Sequence, residues 1–145
     1  MYKLVSKRNA LSRSKNNLMT KPMPRVLIAD DDRTLADVIR FRFAREQYDV
    51  AVAHDGKTAL RRAQSEPFDV IICDFQMPYL NGEQVLTGIR AAGCSREALL
   101  ILCTAKGYEL EAERLKTELQ LREIMLKPFS IVHMLEIAKS ALSVV

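Results

Sequence analysis

Four short stretches of this chain end in groups able to do chemistry. Three successive carboxylates, Asp30-Asp31-Asp32, follow the apolar run Val26–Ala29, and a single carboxylate, Asp74, follows Val70–Cys73. A hydroxyl, Thr104, follows Leu99–Cys103, and an ammonium, Lys127, follows Glu123–Leu126. Carboxylates gathered in one place repel: two bare charges about 4 Å apart cost about 4 kcal/mol at an effective dielectric near 20. Such a set needs a cation, and oxygen-only ligands suit Mg2+. Metal, lysine and hydroxyl together suit phosphoryl transfer, because they neutralise and hydrogen-bond the moving group. A carboxylate can itself be the nucleophile, giving an aspartyl phosphate. Asp74 stands alone and is the candidate for that role, with the other acids still open.

These groups converge only if the elements carrying them lie side by side. From Arg25 the chain alternates between two periods. Short β-rich apolar runs occupy Val26–Ala29, Val50–Ala53, Val70–Cys73, Leu99–Cys103 and, more weakly, Glu123–Leu126. Helical periods fall between and after them, at Thr34–Gln47, Lys57–Ser65, Glu83–Ala92, Tyr108–Leu119 and Ser130–Leu142. In the first, Leu35, Val38, Ile39 and Phe43 are expected near one face; in the fourth, Tyr108, Ala112, Leu115 and Leu119 make the stripe. Asp55-Gly56, Pro67, Asn81-Gly82, Gly93 and Gly107 punctuate the breaks, and Ser130 can cap the last helix. Five strands alternating with five helices predict an α/β fold, a parallel sheet covered on both faces. Strands buried on both faces read as unbroken apolar runs, as VLIA, VIIC and LLILC do. In such a sheet ligands gather outside the carboxyl ends of the strands, where the four reactive stretches end. The second strand ends at His54-Asp55 and is not expected to add a comparable group.

A chain of 145 residues, 48% hydrophobic, suffices for one globular domain. Its net charge of +4 is unevenly spread: residues 1–24 hold six basic residues and no acid, which leaves 16 basic and 18 acidic residues on the remainder. The basic character thus belongs to a leader, residues 1–23, read as a mostly disordered tail or as sequence upstream of a start at Met19 or Met23. The domain proper, residues 24–145, is slightly acidic, and no direct nucleic-acid binding is expected of it. No run of 18 apolar residues exists to span a membrane. Cys73, Cys94 and Cys103 lack C-x-x-C spacing and read as small core residues in a reducing, cytoplasmic setting.

The motifs VLIADDD, DVIICDFQMPYLNG, ILCTA and LKPF, in this order and spacing, resemble the receiver domain of two-component response regulators. The resemblance runs from Arg25 to about Leu142. It implies a flavodoxin-like doubly wound sheet with strand order 2-1-3-4-5. It also implies Asp74 as phosphoacceptor, and a Mg2+ site made by Asp30, Asp31, Asp74 and the backbone carbonyl of Gln76. Thr104 matches the switch hydroxyl and Lys127 the phosphate-binding lysine, with a cis Lys127–Pro128 bond. Gln76 and Lys106 stand where this family tunes phosphoryl lifetime. The expected partners are a sensor histidine kinase or a histidine phosphotransfer protein, and a downstream protein docking near the fourth helix, fifth strand and fifth helix. The module itself is expected to be a monomer or a phosphorylation-dependent dimer, and not an enzyme beyond its own phosphorylation and dephosphorylation.

One departure stands out: the position three residues before the lysine, usually aromatic, is Ile124, which puts the aromatic relay in doubt. The chain stops soon after the fifth helix, so a stand-alone receiver is expected. A rival reading is a non-phosphorylated receiver-like interaction module, supported by Ile124 alone. A Mg2+-dependent phosphatase with an aspartyl nucleophile would want an acid at Gln76. Gly56-Lys57-Thr58 imitates a phosphate-binding loop, but Ala51 stands where that motif needs glycine. His54 and His133 have no partners at metal or triad spacing and are expected in surface or structural roles, while Asp32 reads as a helix cap.

Overall fold

The computed structural model of the protein describes residues 22–143; nearly all of the predicted tail, residues 1–21, lies outside them. The elements run β1 (Arg25–Ala29), α1 (Arg33–Arg45), β2 (Asp49–Ala53), α2 (Gly56–Ser65), β3 (Val70–Asp74), α3 (Gly82–Ala91), β4 (Leu99–Thr104), α4 (Glu109–Glu118), β5 (Glu123–Leu126) and α5 (Ile131–Leu142). The strands form one parallel sheet in the order β2-β1-β3-β4-β5. This is the flavodoxin-like arrangement expected from the sequence. Each expected strand and helix is present, with ends shifted by two residues at most.

Because successive strand residues point to opposite faces, each buried strand feeds two cores at once. Leu27, Ala29, Ile71, Cys73, Leu100 and Leu102 pack on one face with residues of α2, α3 and α4. Val26, Ile28, Val70, Ile72, Ile101 and Cys103 pack on the other with Ala36, Ile39 and Phe43 of α1 and Met134, Leu135 and Ala138 of α5. Every residue of β3 is buried. The edge strand β5 buries only Met125, which is why its apolar signal is weak.

Local chemistry starts most helices at the expected breaks. Asp32, Asp55, Asn81 and Ser130 each accept a backbone N–H three residues on. Asn81 and Gln84 complete a capping box. Two expectations fail. Val38 does not share the buried face of α1: it is 46% exposed. The buried row is Ala36, Ile39 and Phe43, and 100° per residue turns Val38 away from it. Tyr108 does not belong to the fourth helix, which begins one residue later. A groove of about 440 Å³ runs between α1 and α5, its rim mixing Arg42 and Lys139 with Glu46 and Glu136. Among the described residues no helix is long and apolar enough to cross a membrane.

Candidate functional site

β1 and β3 are neighbours in register, so their carboxyl ends deliver acids side by side. Asp30 and Asp74 are 4% and 7% exposed, whereas Asp31 is open to solvent. Asp30, Asp31 and Asp74 each offer an oxygen within 4.8 Å of the others. Asp32 is not among them; its carboxylate caps α1 by accepting the Leu35 N–H at 3.1 Å. Asp30 is braced from several sides. Its N–H donates to the Ala53 carbonyl, and its Oδ1 accepts the Asp32 N–H. Its carbonyl lies 3.1 Å from His54 Nδ1, which must then carry the ring proton. The second strand adds no group to the cluster itself, as expected, and His54 has a structural role: it holds the backbone that aims Asp30. The signal was available, since His54 directly follows a strand paired with β1.

Lys127 enters from the end of β5. Its N–H donates to the Thr104 carbonyl, and its bond to Pro128 is cis. The ammonium stands between the two buried acids, 3.2 Å from Asp74 Oδ1 and 3.5 Å from Asp30 Oδ2. Three clustered carboxylates thus have one lysine beside them, paired with two of the three. Burial, followed by the charge on Asp30, pushes the Asp74 carboxyl up to about 6 against Lys127. Asp30 is also raised, chiefly by burial, with the Asp32 N–H and Lys127 opposing. Burial opposes the charge on Lys127, but Asp74 and Asp30 outweigh it and raise its pKa. An oxygen-only donor set that is short of positive charge fits a hard divalent cation such as Mg2+.

The remaining predicted residues fall around this cluster unequally. Thr104 is buried at the end of β4, its hydroxyl donating to the Ala105 carbonyl at 3.3 Å. Gln76 and Lys106 are exposed in the loops after β3 and β4. Ile124 pairs with Leu102 and packs, half-buried, against the core beneath α2, α3 and α4. His133 is exposed, 3.8 Å from Glu136. Two glycines shape the loop after Asp74. The Gly82 N–H donates to the Phe75 carbonyl at 2.7 Å, and a Cβ there would stand 2.7 Å from the Asp74 carbonyl oxygen. A Cβ on Gly56 would collide with the Leu80 backbone. Sequence reasoning missed the role of Tyr108 here, because its ring fits a helical stripe equally well. Its hydroxyl accepts from Gln76 Nε2 at 2.7 Å.

Known proteins resemble this chain in sequence and fold. Residues 26–139 match the family model described as response regulator receiver domain. The alkaline phosphatase synthesis transcriptional regulatory protein PhoP of Bacillus subtilis (strain 168) is 33% identical over 106 residues, 73% of this chain and 43% of that protein. The chain thus spans less than half the length of that relative. The receiver domain of Francisella response regulator 1452 superposes with a TM-score of 0.68 at 32% identity, covering 81% of this chain and 98% of that one. The receiver domain of the sensor histidine kinase PA1611 from Pseudomonas aeruginosa PAO1 was solved with a magnesium ion coordinated in its active-site cleft. It gives a TM-score of 0.74 at 24% identity, covering 84% and 99%.

Proposed function

The chain belongs to the response regulator receiver domain family, and from that premise we propose that it is a phosphorylation switch with Asp74 as its acceptor. One observation carries the reading: the ends of β1 and β3 bring oxygens of Asp30, Asp31 and Asp74 within 4.8 Å of one another, and the end of β5 sets the Lys127 ammonium between Asp30 and Asp74. Receiver domains are phosphoacceptor signalling modules that work with histidine kinases or phosphotransfer proteins. Here a phosphohistidine on such a partner meets Asp74. An Asp74 oxygen attacks phosphorus in line, the P–N bond breaks, and the imidazole leaves and takes up a proton. Lys127 balances charge on the transferred oxygens, and Thr104 releases the Ala105 carbonyl to donate to one of them. Asp30, Asp31, Asp74 and the Gln76 carbonyl would hold Mg2+, which supplies charge neutralisation when bound. The magnesium in the PA1611 receiver supports that assignment. Gln76 and Lys106 tune how long the phosphoryl group persists.

The output belongs to the surface of α4, β5 and α5, where Leu110, Leu126 and Val132 are exposed apolar residues. A partner that prefers one state of this surface by about 1.4 kcal/mol shifts the populations tenfold. Monomer and phosphorylation-dependent dimer are both compatible with such a face. A cytoplasmic setting accords with three free cysteines.

The test is incubation with Mg2+ and a small acyl phosphate, followed by intact mass. One acid-stable, base-labile phosphoryl adduct is expected, and none in Asp74→Asn. Labelling without metal, or at another residue, would sink the assignment. The rival, an interaction module that is never phosphorylated, draws on the aliphatic packing of Ile124 and requires that no adduct form at all.

A further inference from the structure

The two loops flanking Asp74 are tied together by one side chain that the phosphoryl chemistry above leaves unused. Tyr108 lies four residues beyond Thr104, just before α4; its carbonyl accepts the Ala112 N–H, but its side chain makes no cap hydrogen bond to that helix. Its ring packs instead on Phe75, centroids 5.1 Å apart and planes at 50°. Its hydroxyl oxygen accepts a hydrogen bond from Gln76 Nε2 at 2.7 Å. Phe75 and Gln76 are the first two residues beyond Asp74. Gly107, just before Tyr108, has φ +105° and nothing within 4 Å of where a Cβ would stand. The tie is made by side chains, and its polar half depends on one hydroxyl.

We propose that Tyr108 is a positioning residue that lengthens the life of the phosphoryl group on Asp74 by holding the Gln76 amide in place. The proposal rests on Asp74 being the phosphoacceptor. In hydrolysis a water oxygen bonds to phosphorus, the bond from phosphorus to the Asp74 oxygen breaks, and Asp74 returns as a carboxylate. The proton released by the water goes to inorganic phosphate. The water must come from solvent, and the chain leaves β3 toward solvent through Phe75 and Gln76. An amide pinned to Tyr108 obstructs that side and keeps its N–H from orienting a water. An amide set free does neither job steadily, so water arrives more often.

The experiment uses the full chain, labelled with acyl phosphate and Mg2+, freed of excess reagent, and followed by intact mass as the adduct decays. Tyr108→Phe keeps the ring contact and removes the acceptor oxygen. It should shorten the adduct half-life by about threefold or more, the scale of one hydrogen bond. Gln76→Ala should shorten it similarly, and adding Tyr108→Phe to Gln76→Ala should change nothing further, as expected for two members of one interaction. Urea midpoints measured alongside should differ little, since a merely structural role would move them and not the half-life. An unchanged or longer half-life in Tyr108→Phe, or effects that multiply in the double variant, would overturn the proposal while leaving Asp74 as acceptor. Absence of any adduct in the wild type would remove both.

Discussion

The two rims of the sheet treat partly buried charge in opposite ways. At the strand starts, charges are matched. The Arg25 side chain reaches Asp49 at 3.3 Å and Glu66 at 3.2 Å, its N–H donates to Asp69, and its guanidinium lies 4.5 Å from the Phe68 ring centroid. Glu66 also takes Arg62 at 2.8 Å. Nearby, Arg90 donates to the carbonyls of Leu119, Gln120, Arg96 and Ala98, tying the entry to β4 to the entry to β5. At the strand ends, three carboxylates cluster and Lys127 pairs with only two of them, Asp30 and Asp74. The carboxyl groups differ accordingly: hydrogen bonding to Arg62 holds Glu66 below its ordinary pKa, whereas burial raises Asp74 to about 6. The matched rim is complete as it stands and serves stability. The other retains excess negative charge in a buried place, which costs stability and leaves work for a cation and a phosphoryl group.

If that contrast is right, removing a charged group should have opposite effects at the two rims. The largest loss is expected for Arg90→Ala, which strips four carbonyls of their donor and should cost about 3 kcal/mol in urea unfolding; Arg90→Lys should recover only part, lacking the planar fork. Asp74→Asn should instead stabilise the metal-free protein at pH 7.5 by about 2 kcal/mol, because a carboxyl held near 6 rather than 3.8 is costly when ionised. A loss of stability in that variant would break the comparison.

The same contrast has a pH signature. Asp74 is raised on folding, so between about 3.8 and 6 the folded state holds the extra proton, and stability grows as pH falls from 7.5 toward 5. Glu66 is lowered, so its contribution is present above its ordinary 4.5 and is lost as pH falls through its lower folded value. Metal-free thermal melts should therefore show a maximum near pH 5, and Asp74→Asn should flatten the side above it. Mg2+ should raise the melting temperature at pH 7.5, through about 1.4 kcal/mol of added stability at tenfold excess over Kd, and far less at pH 5, where the proton competes. Chelation should reverse the gain. The smallest effect belongs to Asp32→Ala, which should cost about 1 kcal/mol through the lost cap and leave the rate of acyl-phosphate labelling unaltered. A labelling defect would bring Asp32 into the site.

Much of the fold was written in local pattern. An apolar run such as Val70–Cys73 can be a doubly buried strand wherever it sits, because its own side chains supply both faces. Asp32, Asp55 and Ser130 cap helices through bonds that span three residues. The chemical types needed for the site, and their place at strand ends, were legible for the same reason. Val38 was misread because Leu35, Val38 and Ile39 leave two neighbouring faces of α1 open, and only contact with the sheet selects one.

What the sequence by itself determined was the alternation of strand and helix, and with it the delivery of carboxylates, a hydroxyl and a lysine to one rim. Backbone propensity and hydrophobic period act over a few residues, so they can be read from a single chain. Only the tertiary structure decided that Lys127 stands between Asp30 and Asp74, that His54 braces Asp30, and that Tyr108 takes hold of Gln76. Those are distances between residues 24 to 97 positions apart, and the raised Asp74 carboxyl depends on burial by the whole assembly. Coulomb forces and desolvation respond to where groups lie in space, which the local pattern of a sequence does not record.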